Sequence, residues 1–209
     1  MRSRLTAERV IGALLAAFAA LFAVVTTRRT DAFDLSTTLK LQAWRYPGLT
    51  ALMRAASWPG FPPQSRVIPP VIVGAWWVAG ERRKAAFQLG AWGAAAISTG
   101  IKAVVRRPRP LPPEVKVVIA PLGGTSFPSG HVLTYVGFYG FLGFLLAEHL
   151  RDGPLRDASV ASLAGMLALV GPSRIQQGHH WTTDVVASYV LGLAYVLALV
   201  QLYRVANRR

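Results

Sequence analysis

Apolar positions in this chain come in long unbroken blocks, not in the alternating or one-sided patterns of soluble elements. Residues 10–27, 85–105, 132–147 and 185–203 are such blocks, and each is read as a helix crossing a bilayer, which takes about 20 mostly apolar residues. Two shorter blocks, 67–80 and 158–170, complete the pattern. The first of these opens on Pro69 and Pro70, which a first helical turn tolerates because its N–H groups have no intrahelical partner. On its own, either short block could equally be a buried or re-entrant segment. Together the blocks predict an all-α, polytopic membrane protein, a bundle of six transmembrane helices forming a single domain over residues 1–209. An even number of spans puts both termini on one side.

Between the first two spans, residues 28–66 are neither apolar enough to cross nor polar enough to be a linker. Leu49, Leu52, Met53 and Ala56 recur at i, i+3, i+4 and i+7, the spacing of an amphipathic helix. Pro47 and Gly48 break the chain before it, and Thr50 could cap it. Trp44, Tyr46 and Trp58 are residue types enriched at membrane interfaces. One or two helices lying on the outer surface are therefore expected here.

Composition sharpens this picture in two places. The apolar fraction is 53% and the charged fraction only 15%, against about 25% charged in ordinary soluble chains, which excludes a disordered chain or a coiled coil. The net charge of +14 raises the question of nucleic acid, but the basic residues sit in short segments flanking apolar blocks, where they set topology and attract anionic headgroups. The expected partner at this point is the bilayer, with no nucleic acid. Arg2, Arg4 and Arg9, then Glu81 to Lys84, then Arg151 and Arg156, and finally Arg204, Arg208 and Arg209 form tight basic flanks. The positive-inside rule makes these cytoplasmic, in a plasma membrane protein with its polar clusters outside. The first block also admits a reading as a signal segment. With zero cysteines there is no thiol nucleophile, thiolate metal site or disulfide.

Three polar clusters fall at the predicted outer helix ends. Lys102 to Pro110 closes one span, Ser126 to His131 opens the next, and Ser173, Arg174, His180 and Asp184 precede the last. Each has a plain structural reading. Lys102 alone is a snorkelling side chain, the Arg106-Arg107-Pro108-Arg109 run a solvated stretch facing headgroups, and Ser129 a helix N-cap. His180 and Asp184, four apart, share a helical face, either as a structural hydrogen bond or as a carboxylate that accepts the Nδ1 proton and leaves Nε2 free as nucleophile or base. His179 lies off that face and is read as a neighbour; His149 lies in a predicted cytoplasmic loop. Taken together, Lys102, Arg109, Arg174 and the helix start at Ser129 and Gly130 suit a phosphate dianion. They disfavour a metal, because the carboxylates are few and cations surround them.

In these residues the chain resembles the type 2 phosphatidic acid phosphatase (PAP2) superfamily, which also includes vanadium haloperoxidases. The family pattern reads here as Lys102-x6-Arg109-Pro110, Pro128-Ser129-Gly130-His131 and Ser173-Arg174-x5-His180-x3-Asp184, matched at every position between residues 102 and 184. The resemblance implies that His180 attacks phosphorus and forms a phosphohistidine, oriented by Asp184, and that His131 protonates the leaving oxygen and then activates water. Lys102, Arg109, Arg174, Ser129 and Gly130 would bind the phosphate oxygens, with no metal and no cofactor. The implied substrates are lipid phosphates or diphosphates, of the phosphatidic acid, phosphatidylglycerophosphate or isoprenyl diphosphate type. A vanadate-dependent haloperoxidase and a lipid or anion transporter using the same cations remain as alternatives.

Overall fold

The computed structural model describes residues 2–44, 46–118 and 123–208. Arg209, of the basic C-terminal flank, lies outside them. Ten α-helices follow in order among the described residues: α1 (Arg2–Thr26), α2 (Asp31–Ala43), α3 (Leu49–Ser57), α4 (Gln64–Val78), α5 (Arg82–Trp92), α6 (Ala94–Val104), α7 (Gly130–Thr134), α8 (Gly140–His149), α9 (Pro154–Gln176) and α10 (Thr182–Ala206). A short 3-10 turn at Trp58–Gly60 joins α3 to the approach of α4. A π turn at Tyr135–Tyr139 makes α7 and α8 one continuous helical rod. No strand occurs among the described residues.

Among the described residues, four rods are long and apolar enough to cross a membrane: Leu5–Thr26, Gly130–His149, Pro154–Gln176 and Thr182–Ala206. Gly130–His149 is the central one, more than half buried, whereas Leu5–Thr26 is almost wholly exposed to its surroundings. The core collects around the central rod. Tyr135, Phe138, Phe141 and Leu145 are buried there against Val170 of α9 and Val185, Val196, Val200 and Tyr203 of α10. On the rim, Phe18 and Phe22 of α1 close on Phe127 with ring centroids 6.1 Å apart in both cases.

Two expected spans differ from the pattern. The block 85–105 is not one helix: α5 ends at Trp92 and α6 begins at Ala94. At this joint the Gly90 carbonyl accepts both the Gly93 N–H, at 2.8 Å, and the Tyr195 hydroxyl, at 2.6 Å. The ladder therefore tightens to an i→i−3 bond. The block 158–170, in contrast, grows into the 23-residue α9, because Asp157, Pro172, Ser173 and Arg174 are helical although they dilute the apolar run. In the 28–66 region, α3 buries Met53 and Ala56 while Leu52 stays exposed.

Side-chain stitches tie these outer helices to the bundle. Gln42 of α2 donates from Nε2 to the Lys116 and Gln176 carbonyls, at 2.7 and 3.1 Å, and accepts the Lys116 N–H at 3.1 Å. Gln177 donates to the Met53 carbonyl of α3 at 3.1 Å, and Ser57 and Ser173 share a short hydroxyl contact. Gly178 is left-handed at φ +72°, and a Cβ there would lie 2.4 Å from the Lys116 carbonyl oxygen, so only glycine lets the 176–181 turn pass beneath that strap. That turn delivers His179 and His180.

Candidate active site

The three motif segments meet at one end of the bundle, around the Ser126 carbonyl. Lys102, in the last turn of α6, donates to the carbonyls of Thr125 at 2.8 Å and Ser126 at 3.4 Å. His180, 2% exposed, places Nδ1 2.8 Å from the same Ser126 oxygen. A carbonyl only accepts, so Nδ1 carries the proton and Nε2 of the neutral ring presents its lone pair. Arg109 stands at that lone pair, with Nη1 3.2 Å from Nε2, and is anchored by the carbonyls of His179 at 2.8 Å and Gly123 at 3.2 Å.

Electrostatics keep this imidazole neutral. Burial pushes the His180 pKa well below its ordinary value, and the charges of Arg109, Arg174 and Lys102 push the same way; the Ser126 hydrogen bond opposes them. The group is thus a free base near neutral pH, which a nucleophile requires.

Asp184 is fully buried and lies on the expected face, but its Oδ2 is 3.7 Å from His180 Nδ1, beyond hydrogen-bond reach. The expectation that this carboxylate accepts the Nδ1 proton is therefore corrected: the Ser126 carbonyl holds that position. Asp184 instead accepts the Trp181 N–H at 2.9 Å and Arg107 Nη1 at 2.7 Å. Arg107 is a second correction. Expected in a solvated run, it is 8% exposed and bridges Asp184 to Asp34 of α2, while Arg106 is the exposed member.

The second imidazole approaches from α7. His131 lies edge-on to Phe61 at 4.8 Å, and Phe61 also faces His179 at 6.3 Å and stacks under the Arg174 guanidinium at 4.8 Å. His131 lies within the field of the Arg174 and Arg109 guanidinium groups. Its Nε2 is buried with no hydrogen-bond partner among the described residues. Gly60 makes room for it, since a Cβ there would lie 2.4 Å from His131 Cδ2. Arg174, 0% exposed, bonds His179 Nδ1 and reaches Gln177 Oε1 at 3.4 Å. The neighbour His179 is thus what steadies Arg174. Ser129 caps α7 through Oγ, 3.5 Å from the Val132 N–H, and its own N–H is already given to Ser188 Oγ at 2.8 Å. Gly130 sits beside Lys102 and Ser98. His149 is remote, packed on Trp76 and hydrogen-bonded to Lys84 at 2.7 Å.

From His131 and Lys102 a cavity of about 290 Å³ runs between α4, α6 and the central rod, past Ser98 and Gly130 to Pro69, Trp92, Phe138 and Tyr139. Its lining is mainly apolar, with Lys102 and His131 as its basic members and without His180, Arg109 or Arg174, a surface suited to an apolar chain. Among the described residues no three His, Asp or Glu side chains gather to hold a metal ion. Sequence reasoning missed Asp34, Phe61, Gly60 and Ser126. Asp34 and Phe61 lie outside the motifs, and Ser126 acts through its backbone, which no residue type signals.

Comparison with known proteins places the geometry in a family. Phosphatidylglycerophosphatase B of Bacillus subtilis is 39% identical over 69 residues, which are 32% of this chain and 34% of that protein; the chain thus spans about a third of the length of this curated relative. The crystal structure of a transmembrane PAP2-type phosphatidylglycerolphosphate phosphatase from Bacillus subtilis superposes with a TM-score of 0.79 at 21% identity, over 92% of this chain and 94% of that one. Aquifex aeolicus LpxE superposes with a TM-score of 0.63 at 19% identity, over 81% and 95%. At such identities the two structures establish the fold alone. The family model of the PAP2 superfamily matches residues 84–208, more than half the chain and every motif residue described above, and the chain belongs to that superfamily.

Proposed function

We propose that this protein is an integral-membrane lipid phosphatase, acting as a single domain through a phosphohistidine. The observation that carries the reading is His180, buried and neutral, its Nδ1 held by the Ser126 carbonyl and its Nε2 directed at Arg109. In the first step the Nε2 lone pair forms a bond to phosphorus. The bond from phosphorus to the lipid oxygen breaks, and that oxygen takes a proton from His131. In the second step His131 takes a proton from water, the resulting hydroxide attacks phosphorus, and Nε2 leaves. Lys102, Arg109, Arg174 and the Gly130 backbone hold the equatorial oxygens, where removal of one donor costs about 10²–10³ in rate. Cations take the place that a metal fills in other phosphatases, so the reaction is metal-independent.

The substrate class follows from the cavity. Lys102 and His131 join it to the phosphate site and its apolar lining fits the lipid attached to that phosphate, either a lipid phosphate such as the phosphatidylglycerophosphate in two relatives' names or a lipid diphosphate. In the membrane, α4 and the jointed α5–α6 pair add two spans to the four long rods. Both termini face the cytoplasm, α2 and α3 lie on the outer surface, and the site opens at the outer headgroup layer.

Phosphate release by the purified protein, from a panel of lipid phosphates in nanodiscs with EDTA present, tests this reading. The expected result is turnover that survives the chelator and falls about 10³-fold or more in His180→Ala. Equal release by parent and variant would overturn the nucleophile, and activity restored only by a divalent cation would overturn the metal independence.

A further inference from the structure

Beyond the motif residues, one buried group touches both supports of the nucleophile. Arg107 lies inside the six-residue gap of the first motif, where no motif position is specified. Its guanidinium donates from Nη1 to Asp184 Oδ1 at 2.7 Å and Thr183 Oγ1 at 2.8 Å, and from Nη2 to Asp34 Oδ2 at 2.6 Å. Its backbone carbonyl accepts the Ser126 N–H at 2.9 Å and the Ser126 hydroxyl at 3.3 Å. One residue therefore fixes the carboxylate beside His180 and, through Ser126, the carbonyl that receives the His180 Nδ1 proton.

Asp34 completes the arrangement. It belongs to α2, outside the residues that the family model matches, and is 0% exposed. Its Oδ1 accepts the Thr183 N–H at 2.8 Å, and its Oδ2 accepts the Thr183 hydroxyl at 2.7 Å besides Arg107. A carboxylate buried this completely persists only when paired, and its cation is Arg107. The outer helix α2 is thus latched to the first turn of α10.

We infer that Arg107 and Asp34 form a positioning pair that holds His180 in its Nδ1–H form, with Nε2 aimed at the substrate phosphorus. Neither residue touches substrate. Arg107 claims Asp184 Oδ1, so Asp184 stays a fixed negative charge 3.7 Å from the ring, close enough to balance the cationic ring formed on phosphorylation and not aligned to pull the proton from its place on the Ser126 side. Asp34 in turn stops the guanidinium from turning wholly toward Asp184.

The kinetic arm of the test rests on the phosphatase reading, and a second arm does not. In ¹⁵N-histidine NMR of the wild-type protein in detergent, His180 is expected as the Nδ1–H form; the Nε2–H form overturns the inference outright, whatever the protein hydrolyses. Arg107→Gln leaves two acceptors at Nδ1, so His180 keeps the Nδ1–H form while its Nδ1 resonance moves as the proton turns from Ser126 toward the freed Asp184, and kcat is expected to fall about 10²-fold, the scale of a 1 Å misplacement, with KM within about twofold. The charged groups facing His180 are Lys102, Arg109, His131, Arg174, Asp184 and its neighbour His179, and Arg107 faces the half-exposed Asp31 at 3.4 Å besides Asp34 and Asp184. Releasing Asp184 from Arg107 strengthens the negative field on the ring, so the acid-side midpoint of kcat moves to higher pH. Asp34→Asn leaves Arg107 less compensated, and the midpoint moves to lower pH. Arg107→Lys restores part of the rate. A purely structural role lowers the folded fraction alone; midpoints and Nδ1 resonances that match wild type in the folded variants overturn the inference. Absence of turnover in the wild type, with the NMR outcomes as expected, would sink the phosphatase reading and leave the positioning pair standing.

Discussion

A histidine serves as a nucleophile only while its ring is neutral, and at His180 that state is set by burial more than by any partner. Desolvation comes first, then Arg109, Arg174 and Lys102, and all lower the pKa far below the usual value of about 6.5. The sign matters for activity. A lowered pKa keeps the base form populated as pH falls, so the acid-side midpoint of kcat is expected clearly below 6.5, and a midpoint at or above 6.5 in a pH profile at saturating substrate would contradict this environment. The sequence made much of this residue legible, because Lys102, Arg109, His131, Arg174, His180 and Asp184 occur in a fixed order with fixed gaps. It did not show the acceptor of the Nδ1 proton. Spacing four residues apart selects Asp184 as a same-face neighbour, yet a backbone carbonyl at Ser126 lies nearer. Spacing reports side-chain directions along one helix and says nothing of main chain arriving from another segment. Arg107 was hidden for a related reason. In sequence it is one of four adjacent basic or proline positions, and only the fold distinguishes the buried arginine from the exposed Arg106.

Helix packing around the central rod shows the same division between what local pattern reveals and what contact decides. Apolar blocks located the long rods, since block length and bilayer thickness are the same physical constraint. The joint between α5 and α6 was invisible because every residue of 90–97 is apolar, small or aromatic; it exists because Tyr195, a residue about a hundred positions away, competes for the Gly90 carbonyl. The π turn is equally non-local: Gln88 of α5, fully buried, donates to the Phe138 carbonyl at 2.9 Å within it. Small residues mark the closest approaches. Gly192 of α10 faces the π turn, and a Cβ there would lie 2.8 Å from Val136 Cβ and 2.9 Å from its Cγ1. Val136 is β-branched and held at χ1, so neither partner yields easily. Gly192→Ala is therefore expected to destabilise the protein by about 1–3 kcal/mol, as overpacking of a close-packed interior does. Thermal unfolding in detergent checks it, and an unchanged midpoint would show that the two rods separate without cost.

At the scale of the whole molecule, charge is sorted to the two ends of the bundle. One end carries the site, with Lys102, Arg107, Arg109 and Arg174 around the carboxylates of Asp31, Asp34 and Asp184 and the imidazoles of His131, His179 and His180. The other gathers Glu81, Lys84 and His149 in mutual contact, Arg83 donating to Asn207 at 2.9 Å, and Arg204 within 3.8 Å of Glu148. Both ends are basic, so total charge does not orient the chain. Density does. The second end packs its lysines and arginines into the terminal turns of helices and the short loops between them, where the positive-inside rule operates, whereas Arg107 and Arg109 of the site follow α6 in a long non-helical segment and, like Lys102 and Arg174, are engaged by carbonyls, carboxylates or His179. The second end is therefore expected in the cytoplasm and the site outside, where a lipid phosphate in the outer leaflet reaches the mouth of the cavity without leaving the bilayer. The chain has no cysteine, so a single introduced one is its only thiol. Glu114→Cys, exposed beside the site, and Asp152→Cys, exposed in the turn between α8 and α9, mark the two ends. In intact cells a membrane-impermeant maleimide is expected to label the first and spare the second, and permeabilisation to expose both. Labelling of Asp152→Cys alone in intact cells would invert the topology and move the site to the inner leaflet, with its chemistry unchanged and its substrate pool exchanged.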